Sequence, residues 1–229
     1  MESNLDTQKT LIQIAIDGVA AAGKGTAAKM LSEKIGVQTL DTGALYRGIT
    51  VYLTDNNIDL ENIPSVISAI ETLDLKVGRN ESSATFIIVN GNDITERIRD
   101  IEISRSVPTV AKLQVVRNKV KSIQNAMIAT QDLIMEGRDI GSVMMPNARF
   151  KFFVTADLEV RAARRYLQEI INDPTVTLEG IKEDVMKRDH ADMTREESPL
   201  IKTEDAILID SSYLTPDQVV DLMIRYVKG

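Results

Sequence analysis

A glycine-rich turn between an apolar segment and a helix constrains the fold of this chain more than any other stretch of its sequence. Residues 11–16 predict a buried strand, residues 18–24 fit the pattern G-x-x-x-x-G-K, and residues 26–35 predict a helix. Glycines let backbone N–H groups converge on an anion, the helix N-terminus adds a partial positive charge, and Lys24 adds a full one. We therefore predict a loop that binds the β- and γ-phosphates of a nucleoside triphosphate.

The residues that follow the lysine narrow this prediction. The next residue is Gly25 and the hydroxyl comes at Thr26, an order that resembles the nucleoside monophosphate kinases more than the GTPases. A glycine-rich turn that only tightens the packing of a strand on a helix would explain the glycines but not Lys24. The predicted ATP-binding residues are Gly18, Val19, Ala20, Ala21, Ala22, Gly23, Lys24, Gly25 and Thr26.

Composition limits the class of protein. With 229 residues, 43% hydrophobic and 27% charged, the chain has the size of one α/β domain with a modest insertion. It has no cysteine and a single histidine, which exclude a disulfide framework and a cysteine or histidine metal cluster. A net charge of −7 argues against a nucleic-acid partner. We find no secretory leader and no membrane-length apolar run, and we expect a cytoplasmic monomer without a membrane partner.

Five apolar segments alternate with helical patterns. They lie at residues 11–16, 37–40, 132–135, 150–155 and 205–210. This alternation predicts an α/β fold with a five-stranded parallel sheet flanked by helices. Ligands of such sheets bind at the carboxyl ends of the strands. The phosphate loop and the polar segments that follow the other strands should therefore lie along one edge of the sheet.

The pattern changes to strand periodicity in the middle of the chain. Residues 73–77 alternate, residues 78–83 have turn composition, and residues 84–89 and 93–95 predict two further strands. We predict a small antiparallel insertion, at about 61–96, within a single unit that spans 1–229. The predicted core comprises about 10–60, 97–155 and 200–229, and a short helical lid covers about 156–198.

Three polar segments carry a resemblance to a known family. They read D-T-G-A-L-Y-R at 41–47, E-G-R-D at 136–139 and R-D-H-A-D-M-T-R at 188–195. They resemble the D-[TS]-G-x-x-Y-R, G-R-D and R-D-x-x-D-x-x-R motifs of the bacterial cytidylate kinases, members of the P-loop nucleoside monophosphate kinases. The resemblance runs from about residue 11 to 226, and the antiparallel insertion agrees with it. One departure is Pro108, where family members commonly carry a serine that contacts the base.

The resemblance implies a binding site for CMP as phosphate acceptor. Asp139 would accept from the amino group of cytosine, whereas uracil presents an acceptor there and would be repelled. Arg117 would read the pyrimidine ring, and Arg188 and Asp192 would bind the ribose. The residues that would hold the acceptor phosphate are Thr42, Arg47, Arg138 and Arg195.

Simpler interpretations of these residues stay open. Arg47 fits a surface salt bridge, and Arg138 with Asp139 fits an internal turn. An ordinary i,i+4 ion pair accounts for Arg188 and Asp192 as well as a ribose site does. By its spacing, Thr42 is a candidate cap of the helix that follows it.

The catalytic groups and the metal are predicted from the same edge of the sheet. Arg161, Arg164 and Arg165 have helical spacing after a strand, as expected of a lid that covers phosphates during transfer. We predict Lys24, Arg161 and Arg165 as catalytic residues. Mg²⁺ would accompany ATP and contact Thr26 and Glu136, the latter directly or through water; the family usually has Asp at the second position.

The resemblance implies transfer of a phosphoryl group from ATP to CMP or dCMP. Two other functions compete with this interpretation. One is a kinase for another small acceptor, such as UMP or a non-nucleotide, and the other is a non-catalytic switch that depends on a nucleoside triphosphate. A GTPase switch would carry an N-K-x-D segment that reads guanine, and the sequence has none.

Overall fold

The computed structural model describes residues 11–79, 85–171, 173–196 and 198–229. Within these residues, the elements are β1 (Gln13–Gly18), α1 (Lys24–Ile35), β2 (Gln38–Thr39), α2 (Thr42–Asp55), α3 (Ile63–Glu71), β3 (Leu75–Arg79), β4 (Thr85–Val89), β5 (Asn92–Asp93), α4 (Ile101–Val110), α5 (Gln114–Thr130), β6 (Leu133–Glu136), β7 (Phe150–Thr155), α6 (Leu158–Glu169), α7 (Leu178–Thr194), β8 (Ile207–Asp210) and α8 (Pro216–Lys228). A 3₁₀ turn at Arg97–Arg99 and a π-helical turn at Ile140–Met144 complete them. None of the helices in this described part combines the length and apolar composition of a membrane span.

The main sheet has five parallel strands in the order β2-β6-β1-β7-β8. The central strand β1 is buried along nearly its full length because it is covered on both sides of the sheet plane by apolar side chains. Ile16 pairs with Glu136, and Gly18 pairs with Val154, so the strands end at the same edge. This arrangement confirms the predicted α/β fold with a five-stranded parallel sheet.

Helices α1 and α8 pack against each other and against the sheet. Helix α1 contributes Ala27, Ala28 and Leu31 to the main core. Helix α8 begins with a capping box in which Thr215 and Gln218 satisfy each other's backbone N–H groups. Its buried side chains are Val219, Val220 and Met223.

The described chain forms two compact units, one of residues 11–39 with 130–229 and the other of residues 40–129. The second unit contains the three-stranded antiparallel sheet β3-β4-β5, as predicted. It also contains α2, which packs on α4, β3 and β4. A Cβ on Gly48 of α2 would lie 2.9 Å from Leu75 Cδ1, which shows how closely this helix approaches the small sheet.

One strand boundary differs from the prediction. Strand β3 extends through Gly78 to Arg79, into the predicted turn, because its pairing with β4 continues to Thr85; the rest of that turn, residues 80–83, lies outside the described residues. The second unit, residues 40–129, includes the segment of the predicted insertion at about 61–96.

Candidate active site

Two glycines shape the loop between β1 and α1. Gly18 has φ 147°, and a Cβ there would lie 1.9 Å from the carbonyl oxygen of Val154 on the neighbouring strand. Gly23 has φ 90° at the N-cap of α1, a conformation that residues with a Cβ rarely adopt. Backbone strain and close packing therefore require glycine at both ends of the phosphate loop.

Lys24 is the first residue of α1 and is 5% exposed. Its Nζ donates a hydrogen bond of 2.7 Å to the carbonyl oxygen of Val19, so the side chain folds back over the loop. Burial, and next the positive charge of Arg138, lower the pKa of Lys24 to about 8. The amine is still mostly protonated at neutral pH and provides a cation at the helix N-terminus.

A cavity of about 510 Å³ opens over this loop. Its polar lining brings predicted residues together: the loop backbone, Lys24 and Thr26 meet Glu136 from the end of β6 and arginines from the segments beyond. The lining arginines are Arg138, Arg164 and Arg165. A second cavity of about 420 Å³ is lined by Ala20, Ala21, Arg138, Arg165, Glu169, Ile181, Asp184, Val185 and Arg188.

The residues near Lys24 fit a magnesium ion that arrives with a nucleotide. Thr26 and Glu136 line the same cavity, and Glu136 Oε1 lies 3.9 Å from where a Cβ of Gly25 would be. Within the described ranges, no three His, Cys, Asp or Glu side chains cluster in a way that would hold a metal ion by themselves. Mg²⁺ typically binds one or two carboxylates together with water and substrate phosphates, which this donor set matches.

The three arginines predicted for the lid have different surroundings. Arg164 donates to the hydroxyl and carbonyl oxygens of Ser211, at 3.0 and 2.7 Å, and Ser211 donates to the carbonyl of Ala22 in the loop. Arg165 forms an ion pair with Glu169 in the same helix. Both arginines lie at the wall of the cavity.

Arg161 is buried instead. Its Nε donates to the carbonyl of Ala156 at 2.8 Å, and its Nη1 contacts both Asp189 of α7 and the carbonyl of Ala20, the latter at 3.1 Å. Asp189 also accepts from the backbone N–H of Ala20 at 2.8 Å. The pair thus binds both polar groups of the Ala20 residue and supports the phosphate loop. The catalytic role of Arg161 stays a prediction.

Five predicted acceptor residues lie in the first unit, and they contact one another. Asp192 accepts from Arg138 Nε at 2.7 Å and from Arg188 Nε at 3.0 Å. Burial opposes the ionisation of Asp192, but the two arginine hydrogen bonds outweigh it and lower its pKa. Arg195 lies 3.4 Å from Asp139. The i,i+4 pair of Arg188 and Asp192 is therefore present, with a third partner that the sequence did not suggest.

The other predicted acceptor residues belong to the second unit. Arg47 forms an ion pair with Asp41 at 3.2 Å, which agrees with the surface salt bridge left open above. Asp41, and not Thr42, caps α2 by accepting from Ala44 N; Thr42 is the first helical residue, and its hydroxyl accepts from Gln124 instead. Arg117 is exposed on α5.

Comparison with known proteins decides the family. Residues 14–229 match the family described as cytidylate kinase. The cytidylate kinase of Alkaliphilus oremlandii is 40% identical over 218 residues, which cover 95% of this chain and 98% of that protein. The cytidylate kinase of Streptococcus pneumoniae strain 70585 is 37% identical over 210 residues, covering 92% and 94%. The chain belongs to the cytidylate kinase family.

A solved structure supports the fold of this family member. An uncharacterized protein from Eubacterium ventriosum has a TM-score of 0.56 and 13% identity, covering 96% of this chain and 99% of the other. At that identity the likeness concerns the fold alone. It extends over both compact units, so the antiparallel sheet is included in the compared length.

Sequence reasoning missed three polar residues of this cytidylate kinase site. Asp189 and Ser211 support the phosphate loop from distant parts of the chain. Asp17, 5% exposed, accepts from the backbone N–H groups of Ile140 and Gly141. Burial raises the pKa of Asp17, and these two hydrogen bonds offset part of that increase. The one sequence signal for Asp17 is a carboxylate at the end of an apolar strand.

Proposed function

We propose that this protein transfers the γ-phosphoryl group of ATP to CMP and dCMP, giving ADP with CDP or dCDP, in pyrimidine nucleotide metabolism. One observation favours a site for two phosphorylated substrates over a site for a single one. Arg138 and Arg165 line both the cavity over the phosphate loop and the second cavity next to α6 and α7. Adjoining cavities with shared cations allow two negatively charged phosphates to approach each other.

The residues of the phosphate loop would hold and polarise the donor. Backbone N–H groups at the start of α1 and the Lys24 amine face the place of the β- and γ-phosphates. Arg165 would stabilise the charge that spreads over the transferring group. For Arg161 to take the proposed catalytic role, its ion pair with Asp189 would have to break. No covalent intermediate is needed, since an acceptor phosphate oxygen attacks the γ-phosphorus in line.

Mg²⁺ would be held by Thr26 and Glu136 together with the phosphates. When bound, such an ion neutralises negative charge on the β- and γ-phosphates. Glu136 has one methylene more than the aspartate usual in the family, and its carboxylate still reaches over Gly25. The chain's own contribution is to place this carboxylate at the end of β6, beside the lysine.

Acceptor recognition is proposed for the residues contributed by β6 and α7. Asp139 would accept from the cytosine amino group, and Arg188 with Asp192 would contact the ribose. Arg138 and Arg195 would bind the acceptor phosphate. Thr42, Arg47 and Arg117 keep their predicted roles in phosphate and base binding.

The decisive experiment is a panel of acceptors assayed with ATP and Mg²⁺ by coupled release of ADP. We expect CMP and dCMP to be the best substrates, with UMP and AMP far behind, and Asp139→Ala to reduce the preference for CMP over UMP. A cytosine preference that survives in Asp139→Ala would refute the role of that carboxylate. ADP release that does not depend on an added monophosphate would instead favour the switch interpretation.

The location and assembly of the protein are proposed from its sequence. A cytoplasmic monomer without a nucleic-acid partner fits the acidic, cysteine-free composition. Size-exclusion chromatography with light scattering tests the monomer, which is expected at about the 25.4 kDa of one chain.

A further inference from the structure

Asp17 is a buried carboxylate for which the proposed transfer has no use. It lies at the end of β1, immediately before the first glycine of the phosphate loop. Its Oδ1 accepts from the N–H of Ile140 at 2.9 Å, and its Oδ2 accepts from the N–H of Gly141 at 2.7 Å. Both oxygens thus bind consecutive backbone groups, which offsets part of the cost of burying the charge.

These hydrogen bonds fix a segment that carries two proposed acceptor residues. The N–H of Gly137 donates to the carbonyl of Ile16 at 3.0 Å, on one side of Arg138 and Asp139. The bonds from Ile140 and Gly141 to Asp17 fix the other side. Residues 138 and 139 therefore lie on a short bridge whose two ends are both attached to β1.

The contact at Gly141 leaves little room. A Cβ at that position would lie 3.3 Å from Asp17 Oδ2 and 3.3 Å from Lys151 Cδ. Lys151 is itself largely buried and paired with Asp205, so it limits movement on that side. The backbone at Gly141 is thus packed between the carboxylate of Asp17 and the side chain of Lys151.

We propose that Asp17 is a positioning residue that holds Arg138 and Asp139 in place beside the phosphate loop. It thereby sets the affinity for the acceptor and the preference for cytosine over uracil. The inference rests on the proposed function, because it assigns the acceptor to these two residues. Asp17 itself lines neither of the two cavities described above.

The test compares Asp17→Asn with Asp132→Asn. Asp132, just before β6, also accepts from a distant backbone N–H, that of Ile12 just before β1, at 2.8 Å, but at the amino ends of these strands, away from the site. In Asp17→Asn an amide N–H₂ replaces one acceptor. We expect the KM for CMP to rise about tenfold, with a similar fall in the kcat/KM ratio of CMP to UMP. The Kd for ATP should change less than about threefold, and Asp132→Asn should leave all three values unchanged.

Two further measurements keep the inference open to refutation. Amide hydrogen exchange at Ile140 and Gly141 should accelerate in Asp17→Asn and not in Asp132→Asn. Gly141→Ala, which crowds the carboxylate without removing its charge, should reproduce the acceptor effects more weakly.

The outcomes separate this inference from the proposed function. An unchanged CMP to UMP ratio in Asp17→Asn, or unchanged exchange at Ile140 and Gly141, would overturn the role of Asp17. So would an equal weakening of ATP and CMP binding, which would mean general loss of structure. Failure of the unaltered protein to use CMP would refute the proposed function, and the exchange measurement would still decide whether Asp17 fixes the bridge.

Discussion

Lys24 provides the full positive charge in a loop whose other anion-binding groups are backbone N–H groups. Since Lys24 is proposed to stabilise charge in the transition state, we expect Lys24→Ala to lower kcat by roughly a hundredfold or more, with little change of fold. Steady-state kinetics with CMP and ATP measure the loss, and circular dichroism checks the fold. Lys29→Ala, exposed on the same helix, is the matched control. Turnover near that of the unaltered protein would refute the role of Lys24.

At the scale of single residues, the sequence predicted the residues that belong to a short, continuous motif. Gly18, Gly23 and Lys24 follow from seven consecutive residues, and the structure places Gly23 and Lys24 at one cavity. Asp189 could not be found in this way, since the Ala20 N–H that it binds is 169 positions away. Its interaction depends on the fold, and a single sequence without the structure does not reveal which distant backbone group a carboxylate contacts.

Helices α6 and α7 are joined to the phosphate loop by the buried pair of Arg161 and Asp189. Removing one partner of a buried ion pair leaves an uncompensated charge, which typically costs about 3–5 kcal/mol. We therefore expect Arg161→Ala to lower the free energy of unfolding by that order, as measured by urea denaturation. Such a loss would be larger than a purely catalytic arginine would produce.

The exposed pair of Glu159 and Lys182 provides the control, because it joins the same two helices with a contact of 2.7 Å. Breaking it in Glu159→Gln should cost less than about 1 kcal/mol. If Arg161→Ala unfolds like this control while its kcat falls strongly, Arg161 acts on the transferring phosphate, as its helical spacing with Arg165 first indicated. A stability loss with kcat largely retained would assign it to support of the loop.

The elements themselves were well predicted where hydrophobic periodicity was strong. Strands β1, β6 and β7 are largely apolar because both faces of the sheet are covered there, and that pattern reveals them. The ends of the elements were harder to predict. Strand β3 continues through Gly78 because β4 supplies its hydrogen-bond partners. This tertiary effect overrides the local turn composition. Helix α2 belongs to the second unit because it packs on α4 and the small sheet.

At the scale of the whole molecule, the side chains at the cavities differ in sign from the net charge of the chain. The chain has a net charge of −7, yet arginines line the two cavities of the first unit. Arg138 and Arg188 share the carboxylate of Asp192. A carboxylate between two arginines reduces their mutual repulsion when no phosphate is bound. The cavities thus provide local positive charge in a chain that is acidic overall.

Because the pKa of Lys24 is lowered, we expect a rise in pH to increase the stability of the protein and to decrease its activity. Its folded value of about 8 lies below the usual 10.5, so between these pH values the unfolded chain binds more protons and the free energy of unfolding rises with pH. The unfavourable burial of the ammonium is fully present below about pH 8 and is relieved as the pH approaches 10.5. Over the same range the free enzyme loses its cation, so kcat/KM for ATP should fall. In Lys24→Arg the charge persists, and this alkaline fall should move to higher pH or vanish; an identical fall would mean that another group titrates.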